Sequence, residues 1–144
     1  MDTSERGPQR TKVLFVCVGN SCRSQLAEAI ARHHASDVIE AESAGTSPFG
    51  SVAALTLAVL QENGIRAEGH YSKGIDDVKE FFEPAIVVNM SGRTMDGMFP
   101  LAALAKWEID DPFGSDPETY RRIYGQIEKR VNKLAAELRK RKKK

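Results

Sequence analysis

Seven residues near the start of the chain, Cys17-Val-Gly-Asn-Ser-Cys-Arg23, bring a thiol, small or turn-tolerant residues and a guanidinium into one short loop. Where such a loop turns into a helix, the backbone N–H groups of Val18, Gly19, Asn20, Ser21, Cys22 and Arg23 can converge on an anion, because the first N–H groups of a helix lack internal partners and its dipole favours negative charge. Gly19 and Asn20 suit the loop, since both residue types tolerate positive φ. The same field lowers the cost of a thiolate at Cys17, and the hydroxyls of Ser21 and Ser24 are available to donate to its sulfur. Arg23 has a planar fork that matches two oxygens of a phosphoryl group and can follow their charge into a transition state, which an ammonium does less well. The chemistry is nucleophilic attack by Cys17 on a bound oxyanion. Spacing alone is weak evidence, because a buried strand cysteine before an exposed helix arginine gives the same pattern.

A thiol that displaces an oxygen needs an acid to protonate the leaving atom. Asp110-Asp111-Pro112-Phe113-Gly114 offers one. Pro112 biases Asp111 toward an extended backbone, and a carboxyl beside a thiolate and a dianion is held protonated more easily, so that Asp111 can act first as acid and then as base toward water. Phe113 can stack on the ring of an aryl phosphate or pack in the core.

These residues need a scaffold. Lys12–Val18 is a continuous β-branched and aromatic run ending at glycine, as in a strand buried on both faces, and 23–34 has helical spacing at Leu26, Ala29, Ile30 and His33. Further strands are expected at 38–44, 85–90 and 107–109, with helices at 51–63 and 75–82. From Tyr120 through Ile123, Ile127, Val131 and Leu134 to Leu138 the apolar repeat of three or four residues predicts one long amphipathic helix. Strands alternating with helices imply an α/β fold: a single three-layer domain over residues 12–138, with a four-stranded parallel sheet, helices on both faces and the phosphate loop after the first strand. Residues 1–11 read as a flexible N-terminal segment and 139–144 as a basic C-terminal tail.

Composition limits the function classes. Net charge is +1, yet Arg139–Lys144 are all basic, so the remaining body carries −5, which argues against nucleic acid as a partner. No apolar run approaches the ~18 residues of a membrane span and no signal-peptide pattern opens the chain, which predicts a cytoplasmic protein without a membrane partner. Two cysteines make no disulfide framework, and His33, His34 and His70 lack the spacing to complete a zinc site with them, so neither metal nor cofactor is expected. There is no nucleotide-binding glycine motif.

At these residues the chain resembles the low-molecular-weight protein tyrosine phosphatase family, which also contains thioredoxin-coupled arsenate reductases. FVCVGNSCRSQLAEAI matches its phosphate loop and first helix, ESAGT (42–46) its second strand, and DPFG with Tyr120 its acid loop and last helix. The resemblance implies Cys17 as nucleophile, Arg23 as clamp, Asp111 as general acid, Asn20 and Ser24 as support for the loop and thiolate, and Ser43 as a partner of Asn20. It also implies that Cys22 forms a reversible disulfide with Cys17 under oxidation; a small buried filler is the plainer role for it. Phosphoprotein or small aryl phosphate substrates follow, with phosphate or arsenate as the oxyanion. Gln25 and Trp107 look like the reductases, whereas Asp-Pro-Phe-Gly and Tyr120 look like bacterial phosphatases. No cysteine occurs in 89–100, where the reductases relay oxidation, so arsenate reduction would need an external thiol reductant. Protein-arginine phosphatase is a further alternative, since the residue before Cys22 helps separate phosphotyrosine from phosphoarginine and Ser21 matches neither version. A non-catalytic phosphate-binding module is disfavoured because nucleophile, arginine and acid are all present.

Overall fold

The computed structural model describes residues 9–67 and 69–142. Most of the expected N-terminal segment, residues 1–8, lies outside the described residues, as do Lys143 and Lys144 of the basic tail. The strands are β1 (Thr11–Cys17), β2 (Ile39–Gly45), β3 (Ile86–Asn89) and β4 (Ala103–Lys106); the helices are α1 (Arg23–His34), α2 (Ala54–Glu62), α3 (Ile75–Lys79) and α4 (Pro117–Lys142). The sheet is parallel throughout, in the order β2-β1-β3-β4. This is the expected α/β domain, with β1 between two neighbours and the loop at its carboxyl end.

The unbroken apolar run of β1 has a direct cause: its two faces feed two cores. Val13, Phe15 and Cys17 face α1 and α4 in a cluster with Leu26, Ile30, Ile123 and Ile127, and Leu14 and Val16 face Ile75, Val78, Phe82, Met95 and Phe99. Burying a side chain such as Phe15 contributes about 2–3 kcal/mol. Its ring lies 5.8 Å from that of Trp107, which ties β1 to the segment leading into the acid loop. A strand with apolar residues on both faces can stand only inside a sheet.

One expectation is corrected. The fourth strand runs over Ala103–Lys106, ahead of the expected Trp107–Ile109. It is an edge strand that pairs only with β3, and its residues are mostly exposed, so it lacks the apolar signal by which strands are recognised. Trp107 and Ile109 are buried because they plug into the core just after it. The basic residues 139–142 form the end of a helix. Helix α4 continues to Lys142, and Arg139 grips Asp37 through two 2.8 Å contacts. The start of α4 is set locally: Pro117 follows Asp116, whose carboxylate accepts from the Thr119 N–H at 2.9 Å, and hydrogen bonding by the Thr119 side chain, then by its N–H, holds Asp116 below its usual carboxylate range.

Candidate active site

The chain leaves β1 at Cys17 and enters α1 at Arg23, so the loop between them must curl back within five residues. Asn20 allows this with φ of 48°, in the left-handed region that asparagine tolerates. Gly19 serves for a different reason from the one expected. It does not take positive φ; instead the ring of Phe49 occupies the place of a side chain, 2.6 Å from where a Cβ would stand. The segment after β2 lines the loop like an added strand. Thr46, Ser47 and Phe49 donate their N–H groups to the carbonyls of Cys17, Val18 and Gly19 at 3.0, 2.8 and 2.9 Å.

The sulfur of Cys17 is buried and lies 3.0 Å from Ser24 Oγ, with the Ser24 N–H at 3.4 Å. Ser24 Oγ accepts from Asn20 Nδ2 at 2.7 Å, which leaves its own proton for Sγ. Asn20 is held in turn, because its Oδ1 accepts from the Lys73 N–H at 2.8 Å and from Gln25 Nε2 at 3.0 Å. Gln25, fully buried, also donates to the carbonyl of Tyr71, and its Oε1 faces His70 Nδ1 at 2.9 Å. Burial of the imidazole lowers the His70 pKa, so the neutral ring donates from Nδ1. No bond joins Ser21 to the sulfur among the described contacts; only Ser24 fills that role.

Arg23 is buried, and its Nη1 donates to the carbonyls of Met90 at 2.5 Å and Ile109 at 3.0 Å. Those bonds fix the guanidinium to the ends of β3 and of the acid loop. Nη2 lies 3.6 Å from Asp111 Oδ2, while Nε is buried with no partner. A buried N–H left unpaired is costly, and an oxyanion in the loop would satisfy it. The fork edge of Nε and Nη2 thus remains for a ligand.

Asp111 is 45% exposed, and its Oδ1 accepts from the Phe113 N–H at 3.0 Å. The structure therefore brings Asp111 beside Arg23, the residue that closes the loop opened by Cys17. Phe113 is not a core residue: it is 54% exposed and meets Phe49 edge to face, ring centroids 4.9 Å apart. Cys22 is buried, its sulfur 3.2 Å from the Tyr120 hydroxyl; burial pushes both the thiol and the phenol upward. Both cysteines are free thiols.

Ser43 is not bonded to Asn20. Its hydroxyl donates to Glu28 and accepts from Lys73 Nζ at 3.3 Å, so both its bonds go to the buried charged pair. Lys73 is 4% exposed and lies 3.1 Å from Glu42 and 3.6 Å from Glu28. Ser43 thus acts on Asn20 only through the Lys73 backbone. Sequence reasoning missed Lys73, Glu28 and Phe49. Glu28 had a signal, since it falls one helical turn after Ser24, and Phe49 is the one large apolar side chain in a turn-rich stretch. Lys73 had none.

The sequence model of the low molecular weight phosphotyrosine protein phosphatase family matches residues 12–144. The chain belongs to this family. Among its relatives is a glutaredoxin arsenate reductase of Synechocystis sp., 30% identical over 129 residues, which cover 88% of this chain and 98% of the relative. A protein-arginine-phosphatase of Geobacillus stearothermophilus is 31% identical, covering 88% of this chain and 95% of its own length. The solved structure of an arsenate reductase in a phosphate-binding state superimposes with a TM-score of 0.81 at 30% identity, covering 89% of this chain and 98% of that one. Family members named as arsenate reductases and as an arginine phosphatase thus match nearly nine-tenths of this chain at similar identity.

Proposed function

We propose that the protein is a phosphomonoester hydrolase working through a cysteinyl-phosphate on Cys17. The observation that carries this reading is the placement of Asp111, half-exposed beside the Arg23 fork and next to the exposed Phe49–Phe113 pair. An aryl phosphate fits that arrangement, with its ring against the two aromatics and its phosphoryl oxygens on the loop N–H groups and the free edge of Arg23. The Cys17 thiolate attacks phosphorus. The bond to the leaving oxygen breaks as Asp111 gives that oxygen its proton. Asp111, now a carboxylate, takes a proton from water, which attacks the cysteinyl-phosphate and releases inorganic phosphate with the thiolate restored.

Arsenate reduction is the second reading, and the names of the relatives favour it. Cys17 would displace hydroxide from arsenate, and an external thiol would attack the Cys17 sulfur, releasing arsenite and leaving a mixed disulfide for a second thiol to reduce. No cysteine lies in 89–100 and Cys22 is hydrogen-bonded to Tyr120, which favours reducing thiols from outside the chain. Phosphoarginine is the remaining substrate to test, given the arginine phosphatase relative.

The test is direct. Hydrolysis of p-nitrophenyl phosphate that is abolished by Cys17→Ser and slowed by Asp111→Asn establishes the phosphatase reading. Negligible hydrolysis together with arsenate reduction by glutathione, mycothiol or glutaredoxin replaces it with the second.

A further inference from the structure

Arg93, in the loop after β3, is exposed yet firmly placed. Its backbone is pinned at both ends: the carbonyl accepts from Asn89 Nδ2 at 2.7 Å and the N–H donates to Ser91 Oγ at 3.0 Å, while Ser91 in turn donates to Asn89 Oδ1 from both its N–H, at 2.9 Å, and its hydroxyl, at 2.6 Å. Asn89 ends the strand directly beside β1, in register with Val16. Farther along, Met95 and Phe99 anchor the loop in the core.

The side chain crosses to the wall of the site. Arg93 Nη1 donates to Ser47 Oγ at 2.9 Å and Thr46 Oγ1 at 3.2 Å, the two residues whose N–H groups hold Val18 and Cys17. Phe49 follows two residues later. Neutral hydroxyls fix this guanidinium without cancelling its charge, and no carboxylate among the described residues pairs with it, although Asp96 lies in the same loop. The 46–49 wall therefore presents a fixed positive charge at one end and an aromatic face at the other.

We propose that Arg93 is a specificity-determining residue that selects phosphorylated side chains with an acidic neighbour in the peptide. This rests on the phosphomonoester reading. With the phosphorylated ring against Phe49 and Phe113, an adjacent carboxylate lies toward Arg93, and a lysine there meets like charge. The pair is solvent-exposed, so the preference is modest and screened by salt.

The experiment compares kcat/KM for three phosphotyrosine peptides that differ only in the neighbouring residue: Glu, Ala or Lys. The full chain should prefer Glu over Ala by about threefold to fivefold, the scale of an exposed ion pair, and the preference should shrink as sodium chloride is raised. Arg93→Ala should flatten the series and Arg93→Glu should reverse it toward Lys. A loop that was merely loosened would slow all three peptides alike, so the reversal separates charge selection from a structural role. A Glu preference that survives Arg93→Glu, or none in the full chain, overturns the inference. If no peptide and no p-nitrophenyl phosphate is hydrolysed, the phosphomonoester reading has failed instead. Calorimetric binding of the same peptides to Cys17→Ser, with and without Arg93→Glu, then decides Arg93 without turnover: reversal sustains its role and equal binding removes it.

Discussion

In the proposed reaction the phosphate loop and the acid loop do complementary chemistry, but they are built differently. The loop from Cys17 to Arg23 is almost wholly buried and has a second layer behind it, running from Ser24 and Asn20 to Gln25, His70 and Lys73. The acid loop is exposed, and Asp111 is positioned by one turn bond and a 3.6 Å approach to Arg23. A group that must stabilise charge in place needs fixed dipoles, because reorganisation at the moment of reaction would forfeit their benefit. A group that must deliver a proton, retrieve another and let product leave needs contact with solvent. The contrast predicts that variants in the first region act as a unit and those in the second act singly.

The largest effects should come from the rigid side. Cys17→Ser should remove turnover of p-nitrophenyl phosphate to background while preserving the circular dichroism spectrum, and Arg23→Lys should lower kcat by about 10²–10³-fold through loss of the fork. A fully active Arg23→Lys would mean that Arg23 serves only to tie Met90 to Ile109. Next comes Asp111→Asn, with a loss of about 10²-fold in kcat that grows as the leaving phenol becomes more basic; a loss independent of the leaving group would remove Asp111 as the acid.

Behind the loop, Lys73→Met strips the buried Glu28 and the half-buried Glu42 of their ammonium, leaving them Arg32 alone, and should cost about 3 kcal/mol in urea unfolding. Ser24→Ala should lower kcat/KM about tenfold, since the Cys17 sulfur loses its hydroxyl contact. Unchanged turnover in Ser24→Ala would show that the Ser24 bond does not support the nucleophile.

The smallest effect concerns pH and stability. His70 has its pKa lowered by burial in the fold, so at acid pH the unfolded chain binds the proton more readily than the folded one. Its contribution is intact above the unfolded value of about 6.5 and is lost as pH falls below it toward the folded value. Unfolding midpoints at pH 7.5 and 5.5 should therefore differ less in His70→Gln than in the parent chain.

Much of the phosphate loop was legible because its chemistry is local. The proposed nucleophile, the turn residues and the proposed clamp lie within seven positions, between a strand and a helix that each announce themselves by pattern. The long helix α4 was legible for the same reason. What stayed hidden depends on distance in sequence. Lys73 meets Glu28 and Glu42 only because α1, β2 and the segment before α3 are brought together by the sheet, and a lysine flanked by Ser72 and Gly74 has no periodicity to mark it as buried. The resemblance led to Ser43 but assigned it the wrong neighbour, since the buried ammonium beside it could not be foreseen. Strand β4 was misplaced by a few residues because an edge strand of Ala, Leu, Ala and Lys carries its information in backbone bonds to β3 and not in side chains.

The bond between Cys22 and Tyr120 spans 98 residues of sequence. During synthesis the phosphate loop emerges long before the helix that covers it. At ~5–20 residues per second, roughly 5–20 s separate the two. Throughout that interval the core beneath α1 lacks Ile123 and Ile127. The hydroxyl of Tyr120 is therefore a closing seal as well as a hydrogen-bond partner, the last cover that the loop receives as the chain is made.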